Sequence, residues 1–196
     1  PVTAGSGPDQ PLSPVAGQFV AGVLAHLPAL CAVVAPGVVS YLRLVPHHWS
    51  AAYGCFGRRN REAALRLCPV LEFPGMDQAA QANVEFRPAD AAASPYLVLG
   101  ALVRAGLDGI RRKLPTPPLV AVDPHDMDAA ERERLAIRRL PTSLAEALAA
   151  LDADAAARGW FDPILLECYL AIKRSEMALC EGLGPAELCA KYAEVY

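Results

Sequence analysis

The sequence predicts an α+β fold, because helical and extended patterns occupy different stretches of the 196-residue chain. Ser13 followed by Pro14 is a helix-start signal, and apolar residues at helical spacing follow it. Ser94 followed by Pro95 begins a second apolar helix in the same way. Between these helices, residues 83–87 alternate as strands do. A chain of this length can bury a substantial core, and one domain is the expected organisation.

The strand pattern lies in NVEFRPAD, residues 83–90. An extended backbone sends Val84 and Phe86 to one side and Glu85 and Arg87 to the other. We therefore predict that Glu85 and Arg87 share one face of a sheet.

The first helix belongs to an uncharged stretch, residues 19–42, that is long enough to be considered as a membrane span. His26, Pro28 and the pair Pro36 and Gly37 interrupt it. These residues favour a buried helix followed by a loop over a continuous span.

The remaining segments are assigned by composition and helix-start signals. Residues 46–73 combine small, aromatic and β-branched residues with glycines and predict loops and short strands. The helix over residues 95–110 is apolar on most of its circumference and is predicted to be deeply buried. Residues 116–140 are polar and charged and predict an excursion of surface helix and loop. A capping-box pattern starts a helix over residues 143–151, and another helix is expected over residues 162–180.

Composition restricts the partners of the protein. Hydrophobic residues make up 54% of the chain, which suggests apolar surface that meets another segment or subunit. The net charge of −3, from 18 basic and 21 acidic residues, provides no global positive field for nucleic acid or an anionic membrane. An anionic ligand would have to be bound locally.

The cysteines and the N-terminus bear on location. The six cysteines have neither CxxC pairs nor zinc-ribbon spacing, which favours reduced thiols in a cytoplasmic protein. The chain begins with PVTAGSGPDQPLSP, without an initiator methionine or a signal-peptide pattern. We expect it to be cut from a longer protein.

Five charged residues stand in otherwise apolar or turn-forming segments: Arg43, Arg61, Arg66, Glu85 and Arg87. An unpaired charge is costly to desolvate in such surroundings, so each residue needs a partner. Several guanidinium groups aimed at one place bind carboxylate or phosphate and stabilise the charge that develops during phosphoryl transfer. The odd interval between Arg61 and Arg66 requires a bend or a second segment if both are to face one ligand.

Glu85 has two possible roles. Its carboxylate could bind Mg²⁺ or Mn²⁺ that bridges phosphate oxygens, although one carboxylate cannot hold a metal alone. Spacing by itself favours the alternative, a structural salt bridge with one of the arginines.

Three segments together resemble the C-terminal sequence of glutamine synthetases, in the same order and with similar spacing: SYLRLVPHHWSAAYGCFGRRNREAALRLCP, NVEFRPADAAASPYLVLGALVRAGLDGI and LPTSLAEALAALDAD. The RNR and EFR motifs are the specific signals. The resemblance covers nearly the whole chain and implies that residues 1–196 are part of a glutamine synthetase catalytic domain with antiparallel sheet segments flanked by helices. It also implies an ATP-dependent ligase that converts glutamate into γ-glutamyl phosphate, which ammonia or an amine then intercepts.

The resemblance assigns roles to the five charged residues. Arg43 would bind the glutamate substrate. Arg61 and Arg66 would bind the nucleotide phosphates and the transferred group, Glu85 the divalent metal, and Arg87 the γ-glutamyl phosphate. Arg61 and Arg87 would be the catalytic residues.

Two departures from the family pattern qualify this assignment. Trp49 stands where the family usually has a glutamate that receives the ammonium proton, and this version resembles the γ-glutamylamine ligase and FluG-type branch. The tryptophan would either line an amine-binding pocket or pack as a core aromatic residue. The family's β-grasp domain and upstream metal-binding half are not in this sequence. Neighbouring subunits of a ring, or the upstream half, would complete the site; the alternative is a truncated, inactive member that acts as a binding or assembly module.

Other candidate residues carry weaker signals. His47 and His48 are adjacent and would point to opposite faces of an extended chain, which disfavours a shared metal. Cys55 and Cys68 flank the arginine segment and are interpreted as packing residues.

Overall fold

The computed structural model describes residues 3–7, 10–48, 50–71 and 73–195. Its helices are α1 (Pro14–Ala25), α2 (Leu27–Val34), α3 (Gln78–Gln81), α4 (Pro95–Arg111), α5 (Ala129–Arg134), α6 (Leu144–Ala153), α7 (Ala155–Arg158), α8 (Pro163–Leu179) and α9 (Pro185–Ala193), with a 3₁₀ helix at Val39–Leu42. Its strands are β1 (Ala4–Gly7), β2 (Gln10–Leu12), β3 (Tyr53–Arg58), β4 (Ala63–Leu67), β5 (Val84–Phe86), β6 (Leu119–Val120) and β7 (Arg138–Arg139). The predicted α+β class is confirmed.

Helix starts follow the sequence signals. The Ser13 hydroxyl accepts a hydrogen bond from the Ala16 amide at 3.2 Å and caps α1. Ser143 caps α6 in the same way, through the Glu146 amide at 3.2 Å. Asp162 accepts from the amides of the first turn of α8. The helices predicted at these positions are therefore confirmed.

The uncharged N-terminal stretch forms α1 and α2, which meet at an angle of 74°. His26 stands at the break, 6% exposed, and its ring nitrogens contact Asp154 Oδ2 at 2.6 Å and Asp108 Oδ2 at 2.9 Å. No single helix in the described part of the chain is long and apolar enough to cross a membrane. Taken together, the bent pair of α1 and α2 has the length and apolar composition of a span.

The main sheet has the strand order β5-β4-β3-β6, and β7 also pairs with β3. Strands β4 and β5 are antiparallel, as are β3 and β7, whereas β3 runs parallel to both β4 and β6. The sheet is thus mixed, and the expectation of antiparallel segments holds for two of its pairs. Residues 59–62 alone connect the parallel strands β3 and β4, with Arg59 at a φ of +55°.

One face of the sheet is covered by α1, α2 and α4. Phe56 of β3 and Leu65 of β4 pack in a cluster with Val20, Val23 and Ala105. A smaller cluster includes other residues of these strands together with Val120, Met127 and Ile137. The region over residues 116–140 is therefore more than the predicted surface excursion, because β6 and β7 complete the sheet and its apolar residues join the core.

Helix α4 was predicted to be deeply buried, and this prediction is wrong because one face of the helix is exposed. Ala101 and Ala105 are buried against the core, but Tyr96, Leu99 and Val103 lie at helical spacing on the other side and are 88%, 65% and 41% exposed. A helix that is apolar all round is buried only where other elements cover every face, and the described elements cover one face of α4.

Helices α1 and α4 cross at two glycines. A Cβ on Gly22 would lie 2.2 Å from the Ala105 carbonyl oxygen, and a Cβ on Gly109 would lie 2.2 Å from the Gln18 carbonyl oxygen. The two backbones therefore lie so close together that only glycine, which has no Cβ atom, fits at these two positions.

We predict that Gly109→Ala destabilises the protein by about 3 kcal/mol, the upper part of the usual range for overpacking, because the obstructing atoms are backbone atoms. Gly100 is the matched control on the same helix, since nothing lies within 4 Å of a Cβ there. Gly100→Ala should stabilise by about 0.5–1 kcal/mol. Urea unfolding measures both changes, and equal midpoints for the two variants would contradict the close crossing.

Candidate active site

The register of β4 and β5 brings Arg66 and Glu85 together. The two residues are direct partners across the strands, and Arg66 Nη2 lies 2.6 Å from Glu85 Oε2. Arg87 follows Glu85 on the same face, as predicted, and its Nη1 lies 3.3 Å from the same oxygen. One carboxylate therefore holds two guanidinium groups, and the cluster has a net positive charge.

Arg87 also connects β5 to the segment between β3 and β4. Its backbone amide donates to the Ala64 carbonyl at 2.9 Å, and its Nε donates to the Arg61 carbonyl at 3.2 Å. Arg61 itself is exposed. Residues 59–62 supply the second segment that the odd spacing of Arg61 and Arg66 required, and they place Arg61 beside Arg87.

Arg43 reaches the same region from the segment before β3. Its Nη1 donates to the Ser50 hydroxyl at 3.0 Å, and its Nη2 donates to the Pro88 carbonyl at 2.7 Å. Burial lowers the pKa of the Arg43 guanidinium, the Asp90 carboxylate raises it, and the positive charge of Arg87 lowers it again. Arg43 and Arg87 are thus close enough for their charges to interact.

This arrangement suits an anion. Arg66 and Arg87 contact the carboxylate of Glu85, and Arg43 lies beside them through its bond to the Pro88 carbonyl. Arg66 Nε is buried and has no hydrogen-bond partner among the described residues. A buried donor without a partner is costly, and a phosphate or carboxylate oxygen would satisfy it. The residues present therefore fit the phosphate groups of a nucleotide or an acyl phosphate.

The same residues do not by themselves fit a divalent metal. No group of three or more His, Cys, Asp or Glu side chains in the described ranges could hold a metal ion. Glu85 contacts two guanidinium groups, so the salt-bridge alternative describes its contacts here. A metal role for Glu85 stays a prediction that needs further ligands from outside these residues.

Several neighbouring residues were not identified from the sequence. Ser50 is 2% exposed and holds Arg43, while Glu62 is 6% exposed and accepts from the His47 amide at 3.0 Å. Glu62 carried no signal in the sequence, because it follows the polar residues Arg59, Asn60 and Arg61 and has the sequence context of an exposed turn. Trp49 lies outside the described residues, so its predicted pocket role stays a prediction.

The cysteines are free thiols, as expected. Burial, followed by the negative charge of Asp123, raises the pKa of the Cys55 thiol to about 12. A thiol with so high a pKa is unreactive near neutral pH, which supports a packing role for Cys55.

Comparisons with known proteins identify the class to which this fold and site belong. A family profile described as "Glutamine synthetase, catalytic domain" matches residues 1–188. The chain belongs to the glutamine synthetase catalytic-domain family. This result confirms the family to which the RNR and EFR motifs pointed.

Individual relatives match most of this chain. A γ-glutamylpolyamine synthetase of Streptomyces coelicolor is 41% identical over 179 residues, which cover 91% of this chain and 38% of the relative. A glutamine synthetase of Sulfolobus acidocaldarius is 39% identical over 171 residues, covering 87% and 35% respectively. The crystal structure of a novel glutamine synthase homolog has a TM-score of 0.82 and 46% identity, covering 100% of this chain and 42% of that one. The chain thus spans about two-fifths of the length of these relatives.

We predict that Glu85→Gln strengthens the binding of pyrophosphate in metal-free buffer by about fivefold, because one unit charge near 4 Å contributes about 1 kcal/mol even in water. Arg66→Gln should weaken the same binding. Calorimetric titration of both variants measures the two changes, and unaltered affinity in both would show that these arginines do not face the anion.

Manganese binding to the Glu85→Gln variant of the complete gene product, in which the further ligands would be present, separates the two roles of Glu85. Loss of Mn²⁺ affinity relative to the parent protein would support the metal role, whereas retained affinity would leave Glu85 as the partner of Arg66 and Arg87 only.

Proposed function

We propose that this chain supplies the arginine-rich side of an active site in which ATP activates the γ-carboxylate of glutamate and an amine receives the acyl group. The observation that carries the proposal is the convergence of Arg66 and Arg87 on Glu85, with a buried Arg66 Nε that lacks a partner in the described structure. Membership of the family supports a glutamate ligase in general.

The arginines have complementary tasks in this proposal. Arg43, anchored to Ser50 and to the Pro88 carbonyl, binds the glutamate substrate. Arg61 and Arg66 bind the phosphate groups and the phosphoryl group in transfer, and Arg87 binds the acyl phosphate. Fixed guanidinium groups stabilise the negative charge that develops in the transition state without reorganising during the step.

Two cofactors follow from the family assignment. ATP, when bound, supplies the phosphoryl group that turns the carboxylate into a good acyl donor. Mg²⁺ or Mn²⁺ is the expected metal, and its ligands besides Glu85 would come from outside the described residues.

An amine is the acceptor that we favour over ammonia. Trp49 replaces the glutamate that members of the family use to receive the ammonium proton. A relative with 41% identity is named a γ-glutamylpolyamine synthetase.

We further propose that residues 1–196 form part of one catalytic domain and that another segment or subunit, as in a ring of copies, completes the site. The exposed apolar residues of α4, Tyr96, Leu99 and Val103, are a surface suited to such a contact. The alternative of an inactive binding or assembly module is not supported, because the matching relatives from Streptomyces coelicolor and Sulfolobus acidocaldarius are both synthetases by name.

We predict that Arg61→Ala in the complete gene product lowers kcat by about 100-fold or more, as removal of an electrostatic contact to a transition state usually does. Release of ADP with glutamate and a panel of ammonia, alkylamines and polyamines measures the change. Arg61 is exposed, so its loss should leave the fold intact.

Arg134→Ala is the matched control, because the Arg134 side chain is 69% exposed and contacts Glu131 on α5. Turnover should be unaffected by this change. Equal loss of activity in both variants, or none in either, would contradict the assigned role of Arg61.

A further inference from the structure

Glu62 is a buried carboxylate that is only half satisfied. It is 6% exposed, and its Oε1 accepts from the His47 amide at 3.0 Å. Its Oε2 is buried without a hydrogen-bond partner among the described residues. A buried carboxylate oxygen without a donor is costly, and a bound hydrogen-bond donor would remove that cost.

The residues around Glu62 add acceptors and aromatic rings. Asp123 Oδ2 lies 3.1 Å from His47 Nε2, and the His47 ring meets the His125 ring edge-on at 5.0 Å. The Tyr53 hydroxyl lies 3.3 Å from His125 Nδ1. We call Tyr53, His47, Glu62, Asp123 and His125 the carboxylate pocket.

The two carboxylates of the pocket lie near each other and lack a permanent cation. Glu62 accepts from the backbone amide of His47, and Asp123 contacts the ring of the same residue, so both carboxylates contact His47. Among the described ion pairs, Asp123 contacts only His47 and Glu62 contacts none. The nearby Arg139 directs its guanidinium to the carbonyls of Ala52 and Leu44, and its Cζ lies 5.4 Å from the centre of the Tyr53 ring. It forms no described ion pair with Glu62 or Asp123.

An organic ammonium group fits this environment. It carries up to three N–H donors for carboxylate and hydroxyl oxygens, and its charge is attracted to aromatic faces. A metal ion does not fit, since no set of ligands in the described residues could hold one.

The chemistry of amide formation indicates which ammonium group this is. A nitrogen that attacks an acyl group must be uncharged, whereas two carboxylates favour the protonated form of an amine. In the family pattern, the residue that receives the proton of the reacting ammonium stands at position 49, where this chain has Trp49. The group held by Glu62 and Asp123 is therefore a second, non-reacting ammonium on the acceptor molecule.

The carboxylate pocket adjoins the arginines of the active site. Glu62 follows Arg61 directly, which puts their Cα atoms about 3.8 Å apart. His47 follows Arg43 after three residues. An acceptor with its distal end in the pocket can thus extend toward the arginine cluster.

We propose that Glu62 and Asp123 bind the distal ammonium group of a diamine or polyamine acceptor and select it over monoamines. This inference rests on the proposed ligase function and adds the specificity-determining residues to it.

The test compares 1,4-diaminobutane with butylamine, which has the same chain length without the second charge, on the complete gene product. Glu62→Gln should lower the ratio of kcat/KM for diaminobutane to that for butylamine by about tenfold or more, since a charge-assisted contact is lost. The glutamine retains an acceptor for the His47 amide. Asp123→Asn is a second variant and should change the ratio in the same direction.

Glu131→Gln on the exposed α5 is the matched control and should leave the ratio unchanged. A selectivity ratio that stays at the parent value in Glu62→Gln and in Asp123→Asn would overturn the inference. Loss of folding in one variant, detected by its melting temperature, leaves the other variant to decide.

Calorimetric titration of diaminobutane without ATP separates this inference from the proposed function. If the parent protein forms no amide with any amine yet binds diaminobutane in a Glu62-dependent way, the ligase proposal fails and the pocket stands. If the parent protein forms amides while diaminobutane binds equally to the parent and to Glu62→Gln, the pocket assignment fails and the ligase proposal stands.

Discussion

The antiparallel register of β4 and β5 is the constraint on which the candidate active site depends. It sets Arg66 opposite Glu85, and it lets Arg87 reach both Glu85 and the Arg61 carbonyl. A slip of one residue would move the charged side chains to the apolar face, where Leu65 and Phe86 now pack. The hydrophobic core beneath the sheet therefore fixes the register that brings the arginines to Glu85.

The helices behind the sheet make that core rigid. The glycine crossing of α1 and α4 brings two backbones into contact. At the end of α1, His26 lies between Asp108 of α4 and Asp154 at the start of α7. Each ring nitrogen of His26 contacts one carboxylate. One side chain thus connects three helices at the point where α1 turns into α2.

The sequence was most informative where the interactions are local. Helix starts depend on one capping side chain and the next few amides, so the starts of α1, α6 and α8 could be predicted. The shared face of Glu85 and Arg87 followed from alternation within one strand. The entry of β6 and β7 into the sheet depends on contacts between residues far apart in the chain, which carry no local pattern. The parallel pairing of β3 with β4 is unexpected for strands joined by only four residues, since a short connection usually makes an antiparallel pair. The exposure of α4 depends on which elements cover it, and apolar content alone does not specify that.

The site residues divide in the same way. Charged residues in apolar segments indicated the arginines, whereas Glu62 stands after Arg59, Asn60 and Arg61 and looked like a turn residue. What sequence could not supply is the side to which each charge is turned: Arg61 is exposed and Glu62 is buried, although they are neighbours. One peptide unit therefore separates a positive surface from a negative pocket. In the proposed reaction the acyl phosphate is negative and the distal end of the acceptor is positive. Arg61 would bind the first and Glu62 the second. The uncharged amine at the other end of the acceptor would then lie between them, next to the acyl phosphate.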